Sequence, residues 1–165
     1  MSENYIVING KKAELTPEQL KALGLERETS PFARVSEGNE YHYINKYGYV
    51  QPLDESDMGA IGNELHKIAN YCTDREMMEQ RALHETLNRL LWRYSMEHKG
   101  NEVDWSSTKT KYRITYDQDD HKWRVDTNGW IETLGAVYFA TMGIAQDAIR
   151  EIIKPFMAEH PDFKL

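Results

Sequence analysis

The sequence predicts an α+β fold of antiparallel hairpins, two main helices over about 73–98 and 142–154, and an N-terminal ββα appendage. Three observations carry that expectation. Asn9-Gly10 sits between the Tyr5-Ile6-Val7-Ile8 run and a returning Lys11 to Leu15 segment, four tyrosines surround a second turn at Gly48, and two amphipathic stretches each follow a threonine able to cap a helix.

Tyr5-Ile6-Val7-Ile8 leads into Asn9-Gly10, which supplies the positive φ angles of a type I′ turn, and Lys11 to Leu15 returns as the second strand. Thr16 then caps a helix, with Pro17 at its first position, Gln19 closing a capping box and Gly24 just past its end. This unit, residues 1–25, is too small to be stable alone and should dock on the remainder. A polar stretch before Pro31 places a linker at 26–34, and the main domain takes 35–165.

The segment Tyr41-His42-Tyr43-Ile44-Asn45-Lys46-Tyr47-Gly48-Tyr49-Val50 reads as a hairpin whose type I turn is closed by Gly48 at positive φ in a G1 bulge. The expected register pairs Ile44 with Tyr49 and Tyr43 with Val50. Tyr41, Tyr43 and Val50 then share one face, and His42, Ile44 and Tyr49 the other. Bulk on both faces means that the hairpin is covered on both sides, as cross-strand packing would have it, or offers an aromatic face to a partner.

Gln51 to Asp57 reads as an acidic loop. Residues 58–72 are ambiguous, since Gly59 and Gly62 interrupt a helix while Ile68 to Cys72 suits an extended course. From Thr73 the pattern is strong: Thr73 caps a helix, Asp74 and Glu76 complement its dipole, and Leu83, Leu87, Leu90, Leu91 and Tyr94 form an apolar stripe. A second stripe of Met78, Trp92 and Met96 falls on the opposite side, spread over about 27 Å of axis. Either that helix is sandwiched between two layers, or Trp92 and its methionines meet a partner.

Tyr112, Ile114 and Tyr116 alternate with polar residues, as do Trp123 and Val125, so an antiparallel hairpin crosses an Asp117 to His121 loop. Asn128-Gly129 marks a further turn, and Gly135 to Phe139 a short strand. Thr141 caps the last helix, whose Ala145, Ala148, Ile149, Ile152 and Phe156 share a face and which Pro155 bends or ends. Asn70-Tyr71-Cys72-Thr73 and Tyr138-Phe139-Ala140-Thr141 echo one another, which suggests two strand-to-helix units on a shared sheet.

A net charge of −7 argues against nonspecific nucleic-acid binding, because phosphate contacts draw on surplus Lys and Arg. Much of the surplus acid lies in Glu37, Glu40, Asp54, Glu55, Asp57 and Glu64, a solubilising strip or a face for a basic partner. Cys72 is the only cysteine, so no intramolecular disulfide and no thiolate zinc site can form, and it reads as a small buried hydrophobe. No signal peptide, membrane-spanning run or lipidation motif appears, so a cytoplasmic protein is expected.

Chemical motifs fail one by one. Asp117, Asp119, Asp120 and His121 cluster, but Lys122 and Asn128 stand where a calcium loop needs glycine and glutamate. His84-Glu85 opens like a zinc-protease helix, yet Asn88 occupies the second ligand position. Nucleophile-elbow and phosphate-cradling patterns are missing. No catalytic residues, metal or cofactor are therefore expected.

The run from Tyr5 to Leu25, Pro31-Phe32-Ala33-Arg34-Val35-Ser36-Glu37-Gly38, the Tyr41 to Val50 hairpin, Val103-Asp104-Trp105 and the Lys111 to Tyr116 strand together resemble a family of small accessory proteins of tailed bacteriophages and prophages. The chain departs from that family's glycine-asparagine-phenylalanine run before the first cap, having Ala69-Asn70-Tyr71-Cys72. The resemblance implies a phage-carried protein that binds and disables a host protein or antiviral-defence complex, a CRISPR effector or a signalling system. No catalytic set comes with it. Partner contact is expected through Trp92, Met78 and Met96 together with Glu37, Glu40, Asp54, Glu55 and Asp57. The alternative is a sponge or hydrolase for a nucleotide signal, with Tyr41, Tyr43, Trp123 and Trp130 stacking a base near Arg113 or Arg124. Exposed aromatic surface would also favour a homo-oligomer.

Overall fold

The computed structural model describes residues 5–8, 11–16, 19, 22–23, 30–34, 39–54, 59–128 and 131–165, and it is α+β. Strands β1 (Tyr5–Ile8) and β2 (Lys11–Glu14) form the predicted antiparallel hairpin, with Ile8 opposite Lys11. The capping box is present: Gln19 N donates to Thr16 Oγ1 and Thr16 N to Gln19 Oε1. The turn at Asn9-Gly10, Pro17 and the Gly24 stop lie outside the described residues.

The tyrosine hairpin pairs β3 (Glu40–Ile44) with β4 (Val50–Asp54). Its register differs by one residue from the predicted one, since Ile44 lies opposite Val50 and Tyr43 opposite Gln51. Asn45 causes the difference. Its N–H donates to Tyr49 O, and its Oδ1 accepts from Tyr47 N and Tyr49 N, so Asn45 and Tyr49 close a loop of Lys46, Tyr47 and Gly48. Gly48 has the expected positive φ, at 89°. Val50 thereby joins the His42 and Ile44 face, where it packs with Cys72, Met78 and Ala82.

The predicted helix break at Gly59 and Gly62 is overturned by α1 (Gly59–Lys67). Gly62 is buried, so it acts as a packing residue inside the helix. Ala69, at φ 55°, ends the segment, and Asn70 to Cys72 is extended as expected. Cys72 exchanges both backbone hydrogen bonds with His42, adding a one-residue rung beside β3. Asn70 continues that edge with its side chain: Oδ1 accepts from Ile44 N at 2.8 Å and Nδ2 donates to Ile44 O at 2.7 Å.

Helix α2 (Arg75–Glu97) is capped by Asp74, whose carboxylate accepts from Met77 N, and Thr73 is not the cap. The Thr73 N–H and hydroxyl both donate to Pro31 O, which commits that residue to tethering the 31–34 segment. The same segment reaches α1 through Arg34 to Asn63 and through His66 Nε2 to Phe32 O. At the far end a 3-10 turn (Gly100–Glu102) folds back so tightly that a β-carbon on Gly100 would fall 2.5 Å from Met96 Cε.

Strands β5 (Lys111–Asp117) and β6 (Lys122–Asn128) pair as predicted, with Ile114 opposite Val125, and β7 (Tyr138–Phe139) adds to the other edge of β5. The echoing segments therefore do not share a sheet: Cys72 borders β3 and Phe139 borders β5. Thr141 caps α3 (Met142–Ala148) by accepting from Ile144 N. Pro155 does not end the helix. A π turn (Ile149–Ile153) precedes it, and α4 (Lys154–Glu159) continues. The wider turn moves the Glu151 carbonyl away from the proline ring, which would strike it in an uninterrupted α-helix.

Helix α2 is the centre of the packing. Its leucine stripe meets Ile153, Phe156 and Phe163 on one side, with Ile114 and Trp123 from the sheet, while Tyr94 joins Phe139, Ala145 and Ala148. Ser95, fully buried, donates to Tyr138 O at 2.6 Å and ties the helix to β7. The opposite side of α2 receives the tyrosine hairpin.

Candidate functional site: the groove beside Trp92

Met78, Ala82, Glu85, Arg89, Trp92 and Met96 recur at alternating intervals of four and three, so they form one continuous stripe along α2. The tyrosine hairpin covers only the first half of it. Met78 is 1 % exposed and packs with Ile44, Cys72 and Ala82. The hairpin's tip lies over the middle of the helix, where a β-carbon on Gly48 would stand 3.4 Å from Arg89 Nη2 and 3.7 Å from Thr86 Oγ1. Beyond that crossing the stripe is open: Trp92 is 59 % and Met96 39 % exposed.

The tip and the helix enclose a groove of about 460 Å³ lined by Lys46, Tyr47, Gly48, Thr86, Arg89, Leu90, Trp92 and Arg93. That size suits a side chain or a short segment of a ligand. A second, shallower concavity shares Arg89 and Trp92 and runs on to Asn88 and to Gly135, Ala136 and Val137. Asn88 Nδ2 holds Gly135 O at 3.2 Å, which fixes that rim against the helix. Trp92 is thus a ridge between two hollows.

The chemistry around Trp92 is cationic. Lys46 Nζ lies 5.0 Å from the Tyr47 ring centroid, Arg89 Nη2 contacts Thr86 Oγ1 at 3.4 Å, and Arg93 is exposed. Arg89 reaches an acid only at 4.0 Å, from Nη1 to Glu85 Oε2. On the other side of the hairpin tip the lining reverses sign, with Glu79, Glu159 and Asp162 around Gly48, Tyr49 and Val50.

The residues expected to form one partner surface fall in different places. Trp92 and Met96 share the open face, but Met78 is core, because the hairpin covers its part of the stripe. Glu40 lies opposite Asp54 at the far end of that hairpin from Gly48, and its carboxylate is 3.4 Å from His42 Nε2. Glu37, Glu55 and Asp57 lie outside the described residues.

The aromatic set expected to stack a base is not assembled. Tyr41 is fully buried and stacks on Tyr71 at 4.1 Å, so its ring face is taken. Tyr43 is half-buried and donates to Gln51 Oε1. Trp123 lies on the other sheet, edge-on to Tyr116 at 5.1 Å, and Trp130 is outside the described residues. The cations assigned to phosphate are engaged as well. Arg113 pairs with Asp126 at 2.8 Å, and Arg124 with Asp117 at 3.2 Å and with Asp120. In that hairpin loop Asp117 Oδ1 accepts from the N–H groups of Asp119 and Asp120. The Asp120 N–H, more than the Arg124 charge, holds its carboxyl below the usual range. The Asp117 carboxylate is engaged in shaping the turn and the Asp120 carboxylate in pairing with Arg124.

Sequence reasoning missed Lys46, Tyr47, Arg89 and Arg93. Arg89, Trp92 and Arg93 stand at i, i+3 and i+4, a spacing that puts two guanidinium groups beside an indole on one helix face, so half of the groove could have been read in advance. The hairpin tip could not, since only the tertiary fold brings it there. Among the described residues no cluster of three or more His, Cys, Asp or Glu side chains could hold a metal ion, and no helix is long and apolar enough to cross a membrane.

Comparison with family models, with curated proteins and with solved structures finds no match.

Proposed function

We propose that the chain is a noncatalytic binding protein that inhibits a host or antiviral-defence component in the cytoplasm of an infected or lysogenic bacterium, gripping it through the Trp92 groove. The observation that carries the reading is Trp92 itself. A large aromatic side chain on a well-packed helix is left 59 % exposed between two hollows, and such a side chain is a common anchor of protein interfaces. Met96 adds an adaptable apolar surface next to it, and the arginines supply directional donors. The biological setting rests on the resemblance to phage accessory proteins.

The acidic strip has a smaller part in this reading than Trp92, because Glu40 and Asp54 lie away from the groove. The test is purification of the intact chain from a bacterial host, with protein identification and an ultraviolet absorbance spectrum of the complex. A stoichiometric protein that is lost on Trp92→Glu supports the proposal. Bound nucleotide without a protein partner would replace it with a small-molecule sponge.

A further inference from the structure

The groove beside Trp92 is a cationic site on a chain of net charge −7: among the described residues its lining carries Lys46, Arg89 and Arg93 and no acidic side chain. Lys46 and Arg93 form no ion pair among the described residues, and Arg89 has its nearest acid at 4.0 Å. By contrast, Arg75, Arg81, Arg113, Arg124 and Arg150 all pair with carboxylates at ordinary salt-bridge distances or closer. The hairpin tip separates the cationic groove from the hollow lined by Glu79, Glu159 and Asp162. Three cations with little internal compensation thus converge on the most exposed aromatic of the helix.

We infer that the Trp92 groove takes an acidic segment of a protein partner, one that sets an aromatic or large aliphatic side chain against Trp92 and carboxylates against Lys46, Arg89 and Arg93. The inference rests on the proposed function and adds the chemistry of the partner. Guanidinium forks bind carboxylates bidentately, and the apolar lining of Leu90, Trp92 and Tyr47 rewards a hydrophobic anchor between them. A nucleic acid suits the groove less well. The two guanidinium groups stand in the C-terminal half of the helix, away from the backbone N–H groups of its N-terminus, and the field of a net-negative chain repels a polyphosphate on approach. A protein segment carries few charges, so the local cations outweigh that repulsion within a Debye length of about 8 Å at physiological salt. A second copy of the chain would have to bring acidic residues such as those of its own Glu79, Glu159 and Asp162 hollow to the groove, a case that sedimentation separates from a peptide partner.

The test is selection of a displayed library of random short peptides on the intact chain, followed by anisotropy titrations of the recovered peptides against wild type, Trp92→Ala and Arg93→Glu. Recovered peptides should be rich in Asp and Glu around Trp, Tyr, Phe or Leu. Arg93→Glu should weaken them about tenfold, as removal of a charge pair at an interface does. Rising salt should weaken them too, and exchange of their Glu for Lys should restore binding to Arg93→Glu. The inference falls if selection yields no binders, if they lack acidic residues, if Arg93→Glu binds them unchanged, or if oligothymidine binds more tightly than any peptide. Self-association in sedimentation that Trp92→Ala abolishes would give the groove to a second copy and overturn it as well. A partner lost on Trp92→Glu yet indifferent to Arg93→Glu would sink this inference and leave the proposed function standing.

Discussion

Gly48 lies against Arg89: the turn of the tyrosine hairpin crosses α2 at the residue where the buried half of the helix stripe ends and the open half begins. Gly48 is suited to the crossing in two ways. Its φ of 89° is one that L side chains rarely adopt, and a β-carbon there would already be in contact with Arg89 Nη2 at 3.4 Å. Gly48→Ala is therefore expected to cost about 1–2 kcal/mol from the backbone alone. Binding in the groove should be largely kept, because a methyl there meets only the flexible end of Arg89 at ordinary contact distance. Thermal denaturation measures the first effect, and titration of the isolated ligand the second.

Met78 and Trp92 stand on the same stripe but should behave oppositely. Met78→Ala opens a cavity among Ile44, Cys72 and Ala82 and should cost about 2–5 kcal/mol. Trp92→Ala removes a mostly exposed side chain and should change stability by no more than about 0.5 kcal/mol. Urea titrations of both variants decide the matter. Equal losses would mean that Trp92 is buried in solution.

Asn70 substitutes for a strand residue, since its side-chain amide makes both hydrogen bonds that a neighbouring strand would offer Ile44. Asn70→Ala leaves that N–H and C=O without those partners and should destabilise the protein by about 1–3 kcal/mol. Asn70→Asp keeps the acceptor but sets a carboxylate oxygen against the Ile44 carbonyl, so at neutral pH it should destabilise at least as much as Asn70→Ala.

The loop at Asp117 sets an acid dependence whose sign can be worked out. Its carboxyl titrates below the ordinary value of 3.8, chiefly because the Asp120 N–H bonds the charged form. A depressed folded value means that the stabilisation is complete above 3.8 and is lost as pH falls through the folded value. Asp117→Asn should consequently be less stable than wild type at neutral pH, and the gap should narrow in acid below that point. Melting midpoints recorded against pH provide the check.

Much of the fold was legible in the sequence because it depends on local chemistry. Gln19 and Thr16 cap one another, Thr141 caps α3, and the β5–β6 alternation sets its own pairing. What the sequence hid depends on residues far apart. Thr73 and Asp74 are both competent caps, and only the Pro31 carbonyl decides between them. Gly59 and Gly62 look like breakers until the burial of Gly62 is known. The register of the tyrosine hairpin turned on the Asn45 side chain, which propensity does not rank. The candidate site shows the same division: Arg89, Trp92 and Arg93 can be placed on one face by counting, whereas Lys46 and Tyr47 reach them only through the folded hairpin.

The most direct test of the Trp92 groove is a paired affinity purification from bacterial lysate, using wild type and Trp92→Glu with matched melting midpoints. The groove assignment requires a stoichiometric protein with wild type that is absent from Trp92→Glu. Recovery of the same protein at the same stoichiometry from both would contradict it.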